Sequence, residues 1–257
     1  MGYGRKIILV ICLIVFVGSA GVLLDYFISG MREQSALEDL DKLKVEQADL
    51  ETDKGTVIGK YVNLYKANDD IIGWITVDDT RINYPVMQTK NSPEYYLDRN
   101  FNEEYAASGT PFMDADSDIF IPTSNFMIYG HHMKNGTMFH DLLKYEDKEF
   151  YEEHKTFRFD TIYKGGQGTY EVIAACYSQI YPKDSKKFKY YQYAAMTSES
   201  DFNEYVKNVK ALSEYDTDTT AEYGDQLVTL STCAYHVEDG RFFVVGKRID
   251  AKQVKPQ

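Results

Sequence analysis

The chain has 257 residues, enough for one sizeable core with accessory segments, and its hydrophobic content is that of a folded protein. A formal charge of −12 argues against a nucleic-acid partner, because a phosphate-binding face needs clustered Lys and Arg. Twenty-two tyrosines favour β structure with wet, half-buried faces.

The N-terminus is not globular in character. Ile7 to Leu24 is a run without one charge, and Tyr26-Phe27-Ile28 extend it past Asp25. About 20 apolar residues span the hydrocarbon core of a bilayer as a helix. Arg5 and Lys6 precede the run, and Asp25, Glu33, Glu38 and Asp39 follow it, so the positive-inside rule puts the N-terminus in the cytoplasm and the rest outside. The rival is a cleaved signal peptide with Val17 to Ala20 as its small-residue site. An h-region is about 7–15 residues, shorter than this run, so the reading is an uncleaved anchor. The expected organisation is a cytoplasmic tail (1–6), a membrane anchor (7–28), a helical stalk (29–56), a globular domain (57–250) and a C-terminal tail (251–257). The stalk is charged and helix-prone, with Leu37, Leu40, Leu43 and Leu50 as sparse apolar points.

Ile58, Tyr61, Val62 and Tyr65 then recur at helical spacing and predict a helix with one buried face. From Ile72 the pattern changes to strands. "IGWITV" and "INYPVMQ" flank the turn Asp78-Asp79-Thr80, and "TFRFDTIY" and "TYEVIAACYSQ" flank "KGGQG", a hairpin signal. "NFMIYG", "QLVTLSTC" and "RFFVVGKRI" add three more. Helical interruptions are expected at "TMFHDLLKYEDKEFYEEH" and at "ESDFNEYVKNVKALSEY", the latter with Phe202, Tyr205, Val206, Val209 and Leu212 on one face. Seven or eight strands with inserted helices suggest a mainly β fold, a closed and largely antiparallel barrel.

Three cysteines are present. Cys12 falls in the apolar run, and Cys176 sits in a strand-like stretch and reads as a buried structural thiol. Both Cys176 and Cys233 fall on the exported side, where a disulfide can form. Cys233 ends the alternating run "LVTLSTC", so Leu227, Thr229, Ser231 and Cys233 share one face. A hairpin across Ala234 to Gly240 brings Arg241 near Cys233 on that face. A guanidinium beside a thiol favours the nucleophilic thiolate, and it can equally hold a carbonyl as that group gains charge. A small core residue beside an ordinary surface charge fits the local pattern as well.

A cysteine nucleophile needs a proton partner. His140 and His154 lie in charged helical sequence and read as surface residues, and His236 lies in the solvent-facing turn after Cys233. His131 and His132 follow a strand and Gly130, a position where a ligand backbone can approach closely. Strand parity puts His131 with Met127 and Tyr129 and turns His132 away. It does not say which histidine meets a cysteine so distant in sequence.

The combination of "TLSTC" (Thr229 to Cys233), Arg241 and "IYGHHM" resembles the sortases, class B in particular. The match extends through "WITVDDTRINYPVMQTKNSPEYYLDRNF", "GTPFMD" and "DGRFFVVGKRI", roughly Val57 to Ile249. The resemblance implies an eight-stranded sortase β-barrel with N-terminal helices and a helix inserted before the cysteine strand. It implies Cys233 as nucleophile, His131 as the catalytic histidine and Arg241 as the stabilising arginine, with Arg248 discounted on strand parity. No metal or cofactor is expected. The implied reaction is transpeptidation at the cell surface: an exported protein with a C-terminal sorting motif of the Asn-Pro-Gln-Thr-Asn type is cut after Thr, held as a thioacyl-enzyme, and passed to a peptidoglycan or pilin amine. Tyr129, Ser231 and Thr232 are candidate substrate contacts, each with a packing role as its alternative, and Asp239 reads as a turn residue. No Asp or Asn stands out to orient His131.

Two rivals accompany this reading. The same Cys and His can serve a cell-wall peptidase, because water and an amine compete for one intermediate. A non-enzymatic alternative is a surface binding module or a zinc site from Cys233, His131 and another histidine, which has ligands of the right kind but no ligand pair at chelate spacing.

Overall fold

The computed structural model describes residues 3–250; the first two residues and the tail 251–257 lie outside the described residues. The chain divides after Leu40 into two compact units. Helix α1 runs from Tyr3 to Lys42. Its stretch Tyr3–Gly21 has a mean hydropathy of 1.9 and is long and apolar enough to cross a membrane. Ile8, Leu13 and Phe16 are each more than 60% exposed, and a helix apolar all round needs an apolar surrounding.

The helix expected over 29–56 ends at Lys42 instead. Leu50–Thr52 (β1) and Gly55–Val57 (β2) pair as an antiparallel hairpin. Gly55 adopts φ +133°, which only glycine adopts readily, and the β-branched Thr52, Thr56 and Val57 favour strand over helix. A 3₁₀ turn at Gly59–Tyr61 leads into α2, Val62–Ala67, which buries Val62 and Leu64.

Eight strands then close a barrel: β3 (Ile71–Thr76), β4 (Asn83–Met87), β5 (Phe112–Met113), β6 (Asn125–Tyr129), β7 (Thr156–Thr161), β8 (Gln167–Gln179), β9 (Leu227–Cys233) and β10 (Gly240–Arg248). Around the barrel the order is β10-β8-β7-β3-β4-β5-β6-β9. All neighbours are antiparallel except β4–β5 and β6–β9. The mainly β barrel expected from the sequence is therefore present. The short β5, inside "GTPFMD", left no periodicity to detect.

The helical stretch after the histidine pair splits in two. Phe139–Glu146 is 3₁₀, and α3 (Lys148–Glu153) starts afresh where the Asp147 side chain accepts from Glu149 N. The longer insertion is α4, Glu199–Leu212, just before β9. Ser198 caps it by accepting from Asp201 N at 3.1 Å, and Glu199 and Asp201 in the first turn suit the helix dipole. Phe202, Tyr205, Val206 and Val209 are buried in a cluster with Cys176, Tyr190, Leu227 and Phe243, while Leu212 is 42% exposed and lies outside it.

This covering explains the character of β9. It lies between β6 and β10 and is buried from Leu227 to Thr232, so its run is nearly continuous in small and β-branched residues. Buried hydroxyls must find partners. Thr229 bonds Tyr205 (2.6 Å) and Asn125 (2.9 Å), Ser231 bonds Tyr190 (2.7 Å), and Thr232 donates to Gly130 O (2.7 Å).

Candidate active site

Strand register assembles the site. In the β9–β10 hairpin Arg241 stands directly opposite Cys233, so both side chains share a face. In the parallel β6–β9 pair Tyr129 is level with Ser231. Two residues further along each chain, His131 comes level with Cys233. Imidazole, thiol and guanidinium thus stand side by side at the ends of three neighbouring strands, and all three line one cavity of about 730 Å³. That volume falls within the range of small-molecule and peptide pockets.

The electrostatics couple the three groups. Cys233 is half-buried, and its thiol is paired with the His131 imidazole. That pairing holds the thiol below its usual range; burial opposes it, and the Arg241 guanidinium adds to it. His131 is raised above the ordinary imidazole range, first by the same pairing with Cys233 and also by the bond to Leu97, against burial and the Arg241 charge. Each group favours the charged form of the other. A thiolate beside an imidazolium is an activated nucleophile with its acid in place.

Among the described residues no carboxylate bonds His131. Its Nε2 lies 2.8 Å from the carbonyl of Leu97. A carbonyl only accepts, so Nε2 carries a proton and Nδ1 is the nitrogen left to exchange one. Sequence reasoning missed Leu97 because a backbone carbonyl carries no residue signature. Arg241 is steadied by donating Nη1 to Gly240 O (3.0 Å) and Asp239 O (3.3 Å). Asp239 itself adopts φ +53° in the turn.

Tyr129, Ser231 and Thr232 all line the cavity, but each hydroxyl is already engaged within the protein. Tyr129 OH donates to Asp114 Oδ2 at 2.9 Å, and Ser231 and Thr232 make the bonds described above. Gly130 lines the same cavity, and its lack of a side chain also leaves room for Phe139. A Cβ there would lie 2.7 Å from the Phe139 ring.

The other histidines stand apart from the thiol. The Nδ1 of His132 lies 3.0 Å from the backbone carbonyl of Cys233, and its ring packs 4.7 Å from that of His140. His140 and His154, expected on the surface, are half-buried. His154 closes α3, stacking 4.0 Å from Phe150 and bonding Phe150 O and Asp79. His236 is exposed. Among the described residues no three His, Cys, Asp or Glu side chains gather as a metal site. Cys176 and Cys233 are both free thiols; Cys176 is fully buried, donates to Val209 O at 3.3 Å, and is pushed upward in pKa by burial. Arg248, at the far end of β10, bonds Asp250 at 2.9 Å.

A closed barrel carrying a paired thiol and imidazole at its strand ends has the parts of an enzyme working through a cysteine. Comparison with known proteins makes the class specific. The sortase domain matches residues 75–249. Sortase B of Listeria monocytogenes is 35% identical over 219 residues, covering 84% of this chain and 85% of the relative. Sortase B of Staphylococcus aureus is 33% identical, covering 74% and 75%. Among solved structures, sortase B from B. anthracis superposes with a TM-score of 0.73 at 31% identity, covering 88% of this chain and all of that one. The chain belongs to the sortase family, in its class B. Sortases are cysteine transpeptidases, and this protein is such an enzyme.

Proposed function

We propose that Cys233 is the nucleophile, His131 the general acid and base, and Arg241 the oxyanion donor of a surface transpeptidase. The observation that carries this reading is the row His131–Cys233–Arg241 set by the two registers of β9. The Cys233 thiolate attacks the Thr carbonyl of a sorting motif of the Asn-Pro-Gln-Thr-Asn type lying in the cavity. As the tetrahedral intermediate collapses, the C–N bond breaks and His131 gives its proton to the leaving amine. A peptidoglycan or pilin amine then adds to the thioester, His131 takes a proton from it, and the thiolate departs. Each half passes through an oxyanion, which preorganised charge stabilises best. The N–H after the nucleophile, at Ala234, is committed to Gly240 O at 2.9 Å, so the guanidinium bears most of this task.

The N-terminal apolar helix serves as a single-pass anchor, with a short tail inside, the segment after it as a stalk and the barrel outside. Protease treatment of intact cells should then remove the barrel and spare the anchor; a fully protected barrel contradicts this topology. The reaction is tested by incubating the full chain in detergent with an Asn-Pro-Gln-Thr-Asn peptide, with and without an amine acceptor. Acceptor-dependent ligated product is expected. Free acid formed at a rate no acceptor changes would identify a hydrolase instead.

A further inference from the structure

The clamp between the histidine and cysteine segments extends past the last rung of the β6–β9 ladder. Gly130 N donates to Ser231 O at 3.1 Å, and Thr232 Oγ1 donates to Gly130 O at 2.7 Å. His132 Nδ1 then lies 3.0 Å from Cys233 O, and Tyr235 OH donates to His132 O at 3.4 Å. Three of these four bonds use side chains, because β6 has ended at Tyr129 while β9 runs on to Cys233.

We infer that His132 is a positioning residue for the reaction: its Nδ1–H holds the carbonyl of Cys233, fixing the peptide that follows the nucleophile and the angle at which the thiol meets His131. The carbonyl can only accept, so Nδ1 must carry the proton in this contact. The same Cys233–Ala234 peptide is held at its other end by Ala234 N donating to Gly240 O. Removing the imidazole therefore frees one end of a peptide otherwise bonded at both. The ring has little freedom of its own. It packs 4.7 Å from His140 and 5.4 Å from Tyr235, and its backbone bridges Met138. Strand parity turned His132 away from the thiol, which is correct for the side chain; what it reaches instead is the nucleophile's backbone.

This inference rests on Cys233 being the nucleophile, and its test separates the two. The full-length chain in detergent micelles is compared with His132→Asn, His132→Leu and His132→Phe. Readouts are kcat and KM on an Asn-Pro-Gln-Thr-Asn peptide, the melting temperature, and the rate of Cys233 alkylation by iodoacetamide. The Asn amide can place an N–H where Nδ1 stood, whereas Leu and Phe supply none. Misplacing a reacting group by about 1 Å costs on the order of 10²-fold in rate. Leu and Phe should therefore lose roughly that much in kcat with KM unchanged, and Asn should recover most of it. A folded Leu or Phe variant turning over at the parent rate overturns the inference, as does an Asn variant no better than Leu. Should the Phe variant fail to fold, the near-isosteric Asn and Leu pair carries the contrast. Alkylation needs no peptide. If the parent ignores the peptide, altered alkylation in Leu and Phe with Asn matching the parent still supports the inference; equal rates in all four overturn it.

Discussion

At Cys233 burial and pairing act in opposite directions. Desolvation disfavours the thiolate, while the His131 pairing and the Arg241 charge favour it, and the net displacement is downward. Because only the thiolate alkylates, Cys233 should begin to react at a pH below that of a free thiol, near 8.5. His131→Ala removes the largest favourable contribution and leaves the burial, so the midpoint of the alkylation profile should move up. A midpoint that stays put would uncouple the pair. Turnover in the same variant should fall by about 10²–10⁴-fold, the usual contribution of a positioned acid–base group. Arg241→Lys keeps the charge but loses the planar fork, so kcat should fall by about 10²–10³-fold with thiol alkylation far less affected. A mild effect would move the oxyanion site elsewhere. Cys233 and Arg241 stood out as types, a cysteine at a strand end and an arginine after a turn, whereas the choice of His131 over His132 came from the family resemblance alone. The bonds that tune these groups did not stand out, since Leu97 and Gly240 act through main-chain carbonyls that any residue would supply.

Among the elements, β9 carries Cys233 and α4 packs against that strand. The alternation of "LVTLSTC" and the turn after it predicted the Cys233–Arg241 pairing, and the hairpin register shows it. The β6–β9 pairing was not readable, because parallel neighbours joined by 97 intervening residues leave no local signal; the span runs from Tyr129 to Leu227. The helix expected over 29–56 failed for a related reason: it stops at Lys42, and Leu50–Val57 forms a hairpin fixed by Gly55 and its β-branched neighbours. Helix α4 was legible from its apolar spacing, and its ring Phe202 is fully buried. Phe202→Ala should cost about 3–5 kcal/mol of stability, read as a shift in the denaturant midpoint. Loss well under 1 kcal/mol would mean that α4 is not packed as described.

For the whole molecule, the division after Leu40 separates an apolar helix from a barrel whose functional groups cluster at one set of strand ends. Composition pointed to both parts. What composition does not encode is closure of the barrel, which rests on the two parallel pairings β4–β5 and β6–β9. Closure brings the His131 segment level with Cys233, and the proposed chemistry rests on that juxtaposition. The most direct test is mass spectrometry of the full-length chain quenched in acid during turnover of the sorting peptide. An adduct equal to the peptide fragment ending in Thr, mapped to Cys233 and released by an added amine, is the predicted result. Peptide cleavage that persists in Cys233→Ala, or an adduct mapped to Cys176, would contradict the account.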